Sequence, residues 1–277
     1  PPAAPPDGTL GAGAIVANAR CVVALGAAAP GAEVWRCQGR VAAVRLRGPV
    51  PVSALADGTL ALDALAGSSS RETTVAGWWL EAPWDLVGQL QAHLVADIGA
   101  LGPTLDVEAS HPGTVIGAHP VYVERGATVE PHVVLDMTAG PILLRRGAVV
   151  QAFTRVIGPC YVGRDSIVTS DRVGGCAIGD VCRVHGEISA SVLLGHANKA
   201  HDGFVGHSYL GRWVNLGAGT TTSNLKNTYG TVALWTPEGV RDTGLQFLGT
   251  LFGDHAKTGI QLPLTTGCVV GAGANVY

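Results

Sequence analysis

Residues 144–168 read LRRGAVVQAFTRVIGPCYVGRDSIV, and an aliphatic side chain returns at every sixth position: Leu144, Val150, Val156, Val162 and Val168. The beat extends upstream through Ile116, Tyr122, Thr128 and Val134. Downstream it runs through Ile178, Val184 and Ala190, then Phe204, Leu210, Leu216 and Thr222, and closes with Leu264, Val270 and Val276. A repeat of this kind buries its apolar edge only when each rung stacks on its neighbours. Gly follows the beat residue at Gly117, Gly163, Gly179, Gly211, Gly217 and Gly271, where a tight corner calls for a residue without Cβ. Three six-residue sides make one triangular coil, so residues 110–277 are expected to form a left-handed parallel β-helix in a mainly β chain. The pattern breaks at 174–175, around 195–199 and across 225–246, and insertions in a solenoid often carry its binding work.

Residues 1–109 read as a smaller α/β segment. Val34–Cys37 and residues 41–46 flank Gln38, Gly39 and Arg40 as a hairpin. Pro83 opens a helix to about Ile98, with Trp84, Val87, Leu90, Leu94 and Ile98 at helical spacing as packing residues.

Composition agrees with a turn-rich β architecture: of 277 residues 14% are charged, 5% aromatic and 47% hydrophobic, with 39 Gly. The net charge of −3 and scattered basic residues leave no electrostatic footprint for nucleic acid or an anionic membrane, so the expected partner is a small molecule. Cys21, Cys37, Cys160, Cys176, Cys182 and Cys268 contain no C-x-x-C pair and read as buried hydrophobes in a reducing compartment, with no structural metal. No apolar run reaches the length of a transmembrane helix, and the Pro-rich start does not read as a signal peptide, so a cytoplasmic location is expected. The one methionine is Met137, and residues are expected to be missing from one or both ends.

Residue usage marks the last third. Of 18 cationic side chains only Lys199, Lys226 and Lys257 are lysine, and five of six asparagines (Asn198, Asn215, Asn224, Asn227, Asn275) share that stretch with His196, His201, His207 and His255. Such clustering points to positions requiring a compact ammonium or a two-way amide. Chance and asparagine's preference for corners are the competing explanation.

The segment NKAHDGFVGHSYLGRWVNLGAGTTTSNLKNTYG (198–230), with FGDHAKTG and VVGAGANVY downstream, resembles the acetyltransferase half of bacterial glucosamine-1-phosphate acetyltransferase/UDP-N-acetylglucosamine diphosphorylase proteins, and in particular a divergent group labelled putative sugar nucleotidyltransferases. The resemblance runs from about Pro120 to the end and implies acetyl transfer from acetyl-CoA to the amine of an amino-sugar 1-phosphate, such as glucosamine 1-phosphate. It makes His201 the general base, because an ammonium has no lone pair and imidazole titrates near the working pH. Phe204 stands where the family has a sugar-contacting Tyr. Asn215 and Asn224 match sugar-contacting positions, and Ala218 matches one whose backbone lies against the thioester. Asp254, in place of the usual small hydroxyl residue, and Ala272 fall at coenzyme-contacting positions. Arg172 fits a phosphate-binding Arg if one residue is deleted. A second phosphate-binding Lys falls near Ser189, so Lys199, Lys226 or Arg183 is expected to supply that charge. A homotrimer is expected, because an isolated prism exposes an apolar face and related sites lie between subunits.

Three other readings compete. Nucleotidyl transfer with Mg²⁺ needs a Gly-rich phosphate loop opening an α/β domain, and residues 10–14 (LGAGA) lack the expected Thr-Arg and Lys. A γ-carbonic-anhydrase-like zinc enzyme would draw on His196, His201 and His207 but leaves the GAGT and Asn register unexplained. A non-catalytic scaffold gives the lysine and asparagine clustering no cause.

Overall fold

The computed structural model describes residues 8–26, 31–56, 60–67 and 71–277. They fall into two compact units, Pro1–Glu81 and Ala82–Tyr277. In the first, Val34–Cys37 and Arg40–Arg45 pair antiparallel across a turn in which Gln38 and Gly39 both have positive φ. A two-residue hairpin turn that follows the strand twist requires that backbone, and Gly39 supplies it without a Cβ clash. Ile15–Ala17 and Glu72–Thr74 complete a four-stranded sheet. Val34, Val41 and Val44 pack with Ala66 of the short helix Leu62–Ala66, while Trp35, Cys37, Ala42 and Trp79 form a second cluster. The glycine run 10–14 turns between two strands, Thr9–Leu10 and Ile15–Ala17. It therefore lacks the strand–loop–helix setting in which backbone N–H groups cradle phosphate.

The second unit is a parallel β-solenoid of about 9 turns. Its coils have three sides. Side one stacks Val121–Val123, Ile142–Leu144, Cys160–Val162, Ala177–Ile178, Val192–Leu193, Tyr209–Leu210, Leu251–Phe252 and Val269–Val270. Side two runs from Thr128–Val129 and Val149–Val150 through residues 167–169, 183–185 and Asn198–Lys199 to Asn215 and Lys257–Thr258. Side three carries Thr114–Gly117, Val134–Met137, Arg155–Ile157, residues 172–174 and 187–189, and Phe204–Gly206.

The aliphatic beat faces inward, as expected, from Leu144 to Val184, where each beat residue is buried. Its phase differs in two places. In the first coil Val123, Val129 and Leu135 are buried, while Thr128 is exposed and Tyr122 and Val134 are half-buried. Register explains this: Val129 pairs with Val150, and Val121 pairs with Ile142 twenty-one residues later, so the coil is longer than three sixes and resets the count. At the corner between sides two and three the opposite happens. Strands Ile167–Gly174 and Arg183–Ser189 run straight through it, bringing Val168 and Val173, then Val184 and Ile188, closer than six residues. The inward residue of the next coil on side three is consequently Val205, and Phe204 faces outward.

Outside side one, helix Leu90–Leu101 lays Leu90, Leu94 and Ile98 against Leu143, Tyr122, Tyr161, Ala177 and Val192. Each such side chain contributes roughly 1.5–3 kcal/mol on full burial. The predicted helix from Pro83 is interrupted at Gln89, leaving the separate turn Asp85–Gly88. There the Asp85 carboxylate accepts the Ala82 N–H at 2.8 Å. Trp84 and Val87 join Val232, Leu234, Leu248 and Leu251, so the aromatics of this region are core. The helix thus belongs to the second unit, and the division at residue 81 falls earlier than a boundary at 109. No helix among the described residues is long and apolar enough to cross a membrane.

Corner glycines are dictated by the neighbouring coil. A Cβ on Gly179 would collide with the Leu194 carbonyl, and one on Gly217 with that of Gly259. The left-handed backbone falls two residues after such glycines, at Asp165, Val181, Trp213 and His255. Val181 is β-branched at φ 60°, a strained combination. Gly179→Ala is expected to destabilise by about 1–3 kcal/mol and Val181→Asn to stabilise by roughly 1 kcal/mol, read as opposite shifts in urea midpoint.

Candidate active site

The corner between sides two and three opens into a groove of about 500 Å³ lined by Thr169, His185, His201, Asp202, Ala218 and Gln261. Residues 200–203 leave strand Asn198–Lys199 and turn the corner without regular pairing, which leaves the His201 and Asp202 side chains exposed. The GAGT run, 217–220, forms the next coil of the same corner. Gly219 N–H donates to the Asp202 carbonyl at 2.9 Å, and the Ala218 carbonyl accepts the Gln261 N–H at 2.6 Å. Among the described residues the Ala218 N–H has no hydrogen-bond partner.

His185, which residue usage did not single out, lies one coil below Ala200. Its Nδ1 donates to the Thr169 carbonyl, and its Nε2 lies 2.9 Å from Asp202 Oδ1. The signal for it is alternation: with Val184 and Ile188 inward in RVHGEIS, His185 must face out at the same corner as His201.

Lys199, read as a candidate phosphate-binding cation, points the other way. It occupies the inward position of side two, between Val184 and Leu216, and is 1% exposed. Its ammonium donates to the carbonyls of His185 at 3.1 Å, Asp202 at 3.0 Å and His201. Burial pushes its pKa down from 10.5 to about 8, against the opposing pull of Asp202. The other cations are engaged as well. Lys226 donates to the Thr231 carbonyl at 3.0 Å, Arg183 to those of Asp165 and Cys182 at 3.0 Å, and Arg172 lies 3.1 Å from Glu187.

Arg172, Glu187 and Phe204 form one outward column on successive coils of side three. A Cβ on Gly206 would meet both the Phe204 ring and the Asn224 amide, so these two flank one spot. Asn224 Nδ2 donates to His207 Nδ1 at 2.8 Å, and burial lowers the His207 pKa. Asn215 lies on side two, its Oδ1 accepting from Asn198 at 2.7 Å. Asp254 accepts the Arg212 N–H at 2.7 Å, just as Asp180 does for Arg164, so its carboxylate braces a corner between sides one and two. Ala272 is exposed on the last coil of that corner. One chain therefore brings His201 and Ala218 together but leaves Asn215, the Arg172–Phe204–Asn224 group, and Asp254 with Ala272 on other surfaces. His196, His201 and His207 occupy three different corners, His196 stacking on Trp213 with ring centroids 4.3 Å apart. Among the described residues no group of three or more possible metal ligands converges.

No family model matches the chain. Similarity is found to bifunctional transferases. A bifunctional sugar-1-phosphate nucleotidylyltransferase/acetyltransferase from Sulfurisphaera tokodaii is 32% identical over 91 residues, 33% of this chain and 23% of the relative. The bifunctional protein GlmU of Methanococcus vannielii is 30% identical over 117 residues, 42% of this chain and 26% of the relative. That of Desulfitobacterium hafniense is 28% identical over 193 residues, 59% of this chain and 38% of the relative. The chain thus spans between about a quarter and two-fifths of the length of these curated relatives.

Because the folded pKa of Lys199 lies below its unfolded value, the unfolded chain holds the proton more tightly between about pH 8 and 10.5. The burial cost is fully present below that window and fades across it, so stability rises with pH there. Relative to Lys199→Met, which lacks the titration, the native protein should gain at most on the order of 3 kcal/mol between these limits, less whatever the three carbonyls offset. Paired urea titrations at the two pH values measure the difference.

Proposed function

We propose that the protein is an N-acetyltransferase that moves acetyl from acetyl-CoA to the amine of an amino-sugar 1-phosphate, with glucosamine 1-phosphate as the first acceptor to test. The observation that carries this reading is the shared groove of His201 and the unpartnered Ala218 N–H. Acyl transfer to an amine needs a base for the proton and a donor for the oxygen that becomes negative. As the amine nitrogen bonds to the thioester carbon, His201 accepts the amine proton, and the Ala218 N–H stabilises the oxyanion. Collapse then breaks the C–S bond and releases the coenzyme thiol, to which the proton is returned.

The sugar and its phosphate are assigned to Phe204, Asn215, Asn224 and Arg172. The coenzyme is assigned to Ala218, Asp254 and Ala272. Arg172 would have to exchange its partner Glu187 for the phosphate, and Asp254 would contribute through its corner rather than through a free carboxylate. Since these groups sit on different surfaces of one solenoid, a complete site requires neighbouring subunits, which favours a homotrimer. Similarity to acetyltransferase-containing relatives supports the class of reaction.

His201→Asn keeps a similar size but removes the titrating group. Its kcat for thiol release from acetyl-CoA should fall about 10²–10⁴-fold with little change in coenzyme affinity. Near-normal turnover in this variant, or no turnover by the wild type with any amino-sugar phosphate, sinks the proposal. Sedimentation at micromolar concentration should give a trimer, and a monomer would contradict the shared site.

A further inference from the structure

We infer that Lys199 is a positioning residue that holds the groove-lining loop from inside the solenoid and so orients His201 and Asp202. The inference rests on the reading of His201 as the base. Its starting point is that packing gives no reason for a lysine here. The other inward residues of side two include Val129, Val150, Val168, Val184 and Leu216, all buried and aliphatic. An ammonium in such a column weakens the stack, because a buried charge costs far more than a buried alkyl chain unless it is fully hydrogen-bonded.

The partners identify what the charge does. All three acceptors are main-chain carbonyls of groove residues: His201 and Asp202 on one coil, and His185 on the coil below. Among the described residues the His201 carbonyl has no backbone donor, so Lys199 is what holds it. The Asp202 carbonyl accepts Lys199 Nζ and the Gly219 N–H together, which ties the loop to the coil bearing Ala218. One ammonium thus joins the base, the His185–Asp202 pair and the proposed oxyanion donor. Those separations must hold to well under 1 Å for acyl transfer, and a displacement of about that size costs roughly 10²-fold in rate.

Lys199→Met retains an unbranched apolar chain but donates no hydrogen bond. It should leave the melting temperature at or above the wild-type value, lower kcat by about 10²-fold, and leave KM for acetyl-CoA within roughly threefold. Hydrogen exchange followed by mass spectrometry should show faster exchange in peptides covering 200–203 and Gly219, with the other coils unchanged. A variant that fails to fold, or whose melting temperature falls together with its activity, would assign Lys199 to general stability and overturn the inference. Wild-type turnover overturns it too, whatever the exchange shows, and so does unchanged exchange at 200–203. If the wild type itself transfers no acetyl group, the proposed function fails, and the exchange comparison still decides whether Lys199 holds the loop.

Discussion

Everything in the solenoid follows from the close stacking of one coil's backbone on the next. Adjacent parallel strands sit about 4.8 Å apart, so the interior calls for compact, mostly apolar side chains, commonly a small one and a larger one on each side, as with Cys160 and Val162 or Cys182 and Val184. The buried run Leu144, Val150, Val156, Val162 and Val168 meets that demand. The same spacing forbids a Cβ at the corners, where Gly163, Gly179, Gly211 and Gly217 lie against the coil above. Apart from the fully buried Phe252 and Lys199, bulky side chains on these coils are mostly placed outward. They project from the left-handed corner positions, as Trp213 and His255 do, or from corners where the chain departs from regular pairing, as His201 does.

The helix and hairpin of the second unit settle which surfaces can carry a site. Leu90, Leu94 and Ile98 occupy the outside of side one, and Trp84 and Val87 extend that cover with the hairpin Ala233–Thr236 and Gly239–Asp242. The outer columns of sides two and three are not covered in this way and carry polar groups, Arg172 and Glu187 on side three and Lys257 and Asn275 on side two. The groove falls at the corner between those two sides.

The solenoid was legible in the sequence because its selection pressure is periodic: one apolar side chain per side recurs whatever the function. Coil length was not legible. The long first coil and the shortened corner at Ile167–Gly174 and Arg183–Ser189 shift the phase, which is why Thr128 and Phe204 face outward although they fall on the beat. His201 and Ala218 were found through a motif, and the structure gives them one groove. Residue usage singled out Lys199 but not its direction, since an ammonium that serves carbonyls inside looks the same in a sequence as one that serves phosphate outside. His185 was missed because one histidine in an alternating strand carries no signal until the register places it beside Asp202.

Two buried charges show how differently the fold treats ions. Asp136 is 3% exposed, and Arg155 and Thr138 hold its carboxyl at a pKa of about 2, so its charge is matched by an opposite charge and by donors. Ionised Asp136 therefore stabilises the native state at neutral pH. Lys199 has no carboxylate bonded to its ammonium, only carbonyl dipoles, and its pKa moves in the direction that marks a cost. A group that weakens the core at neutral pH yet contacts three groove carbonyls is accounted for by the geometry of those carbonyls rather than by the stability of the stack. Side two tolerates the buried ammonium because the inward positions directly below and above it, Val184 and Leu216, are aliphatic and keep the coils in register.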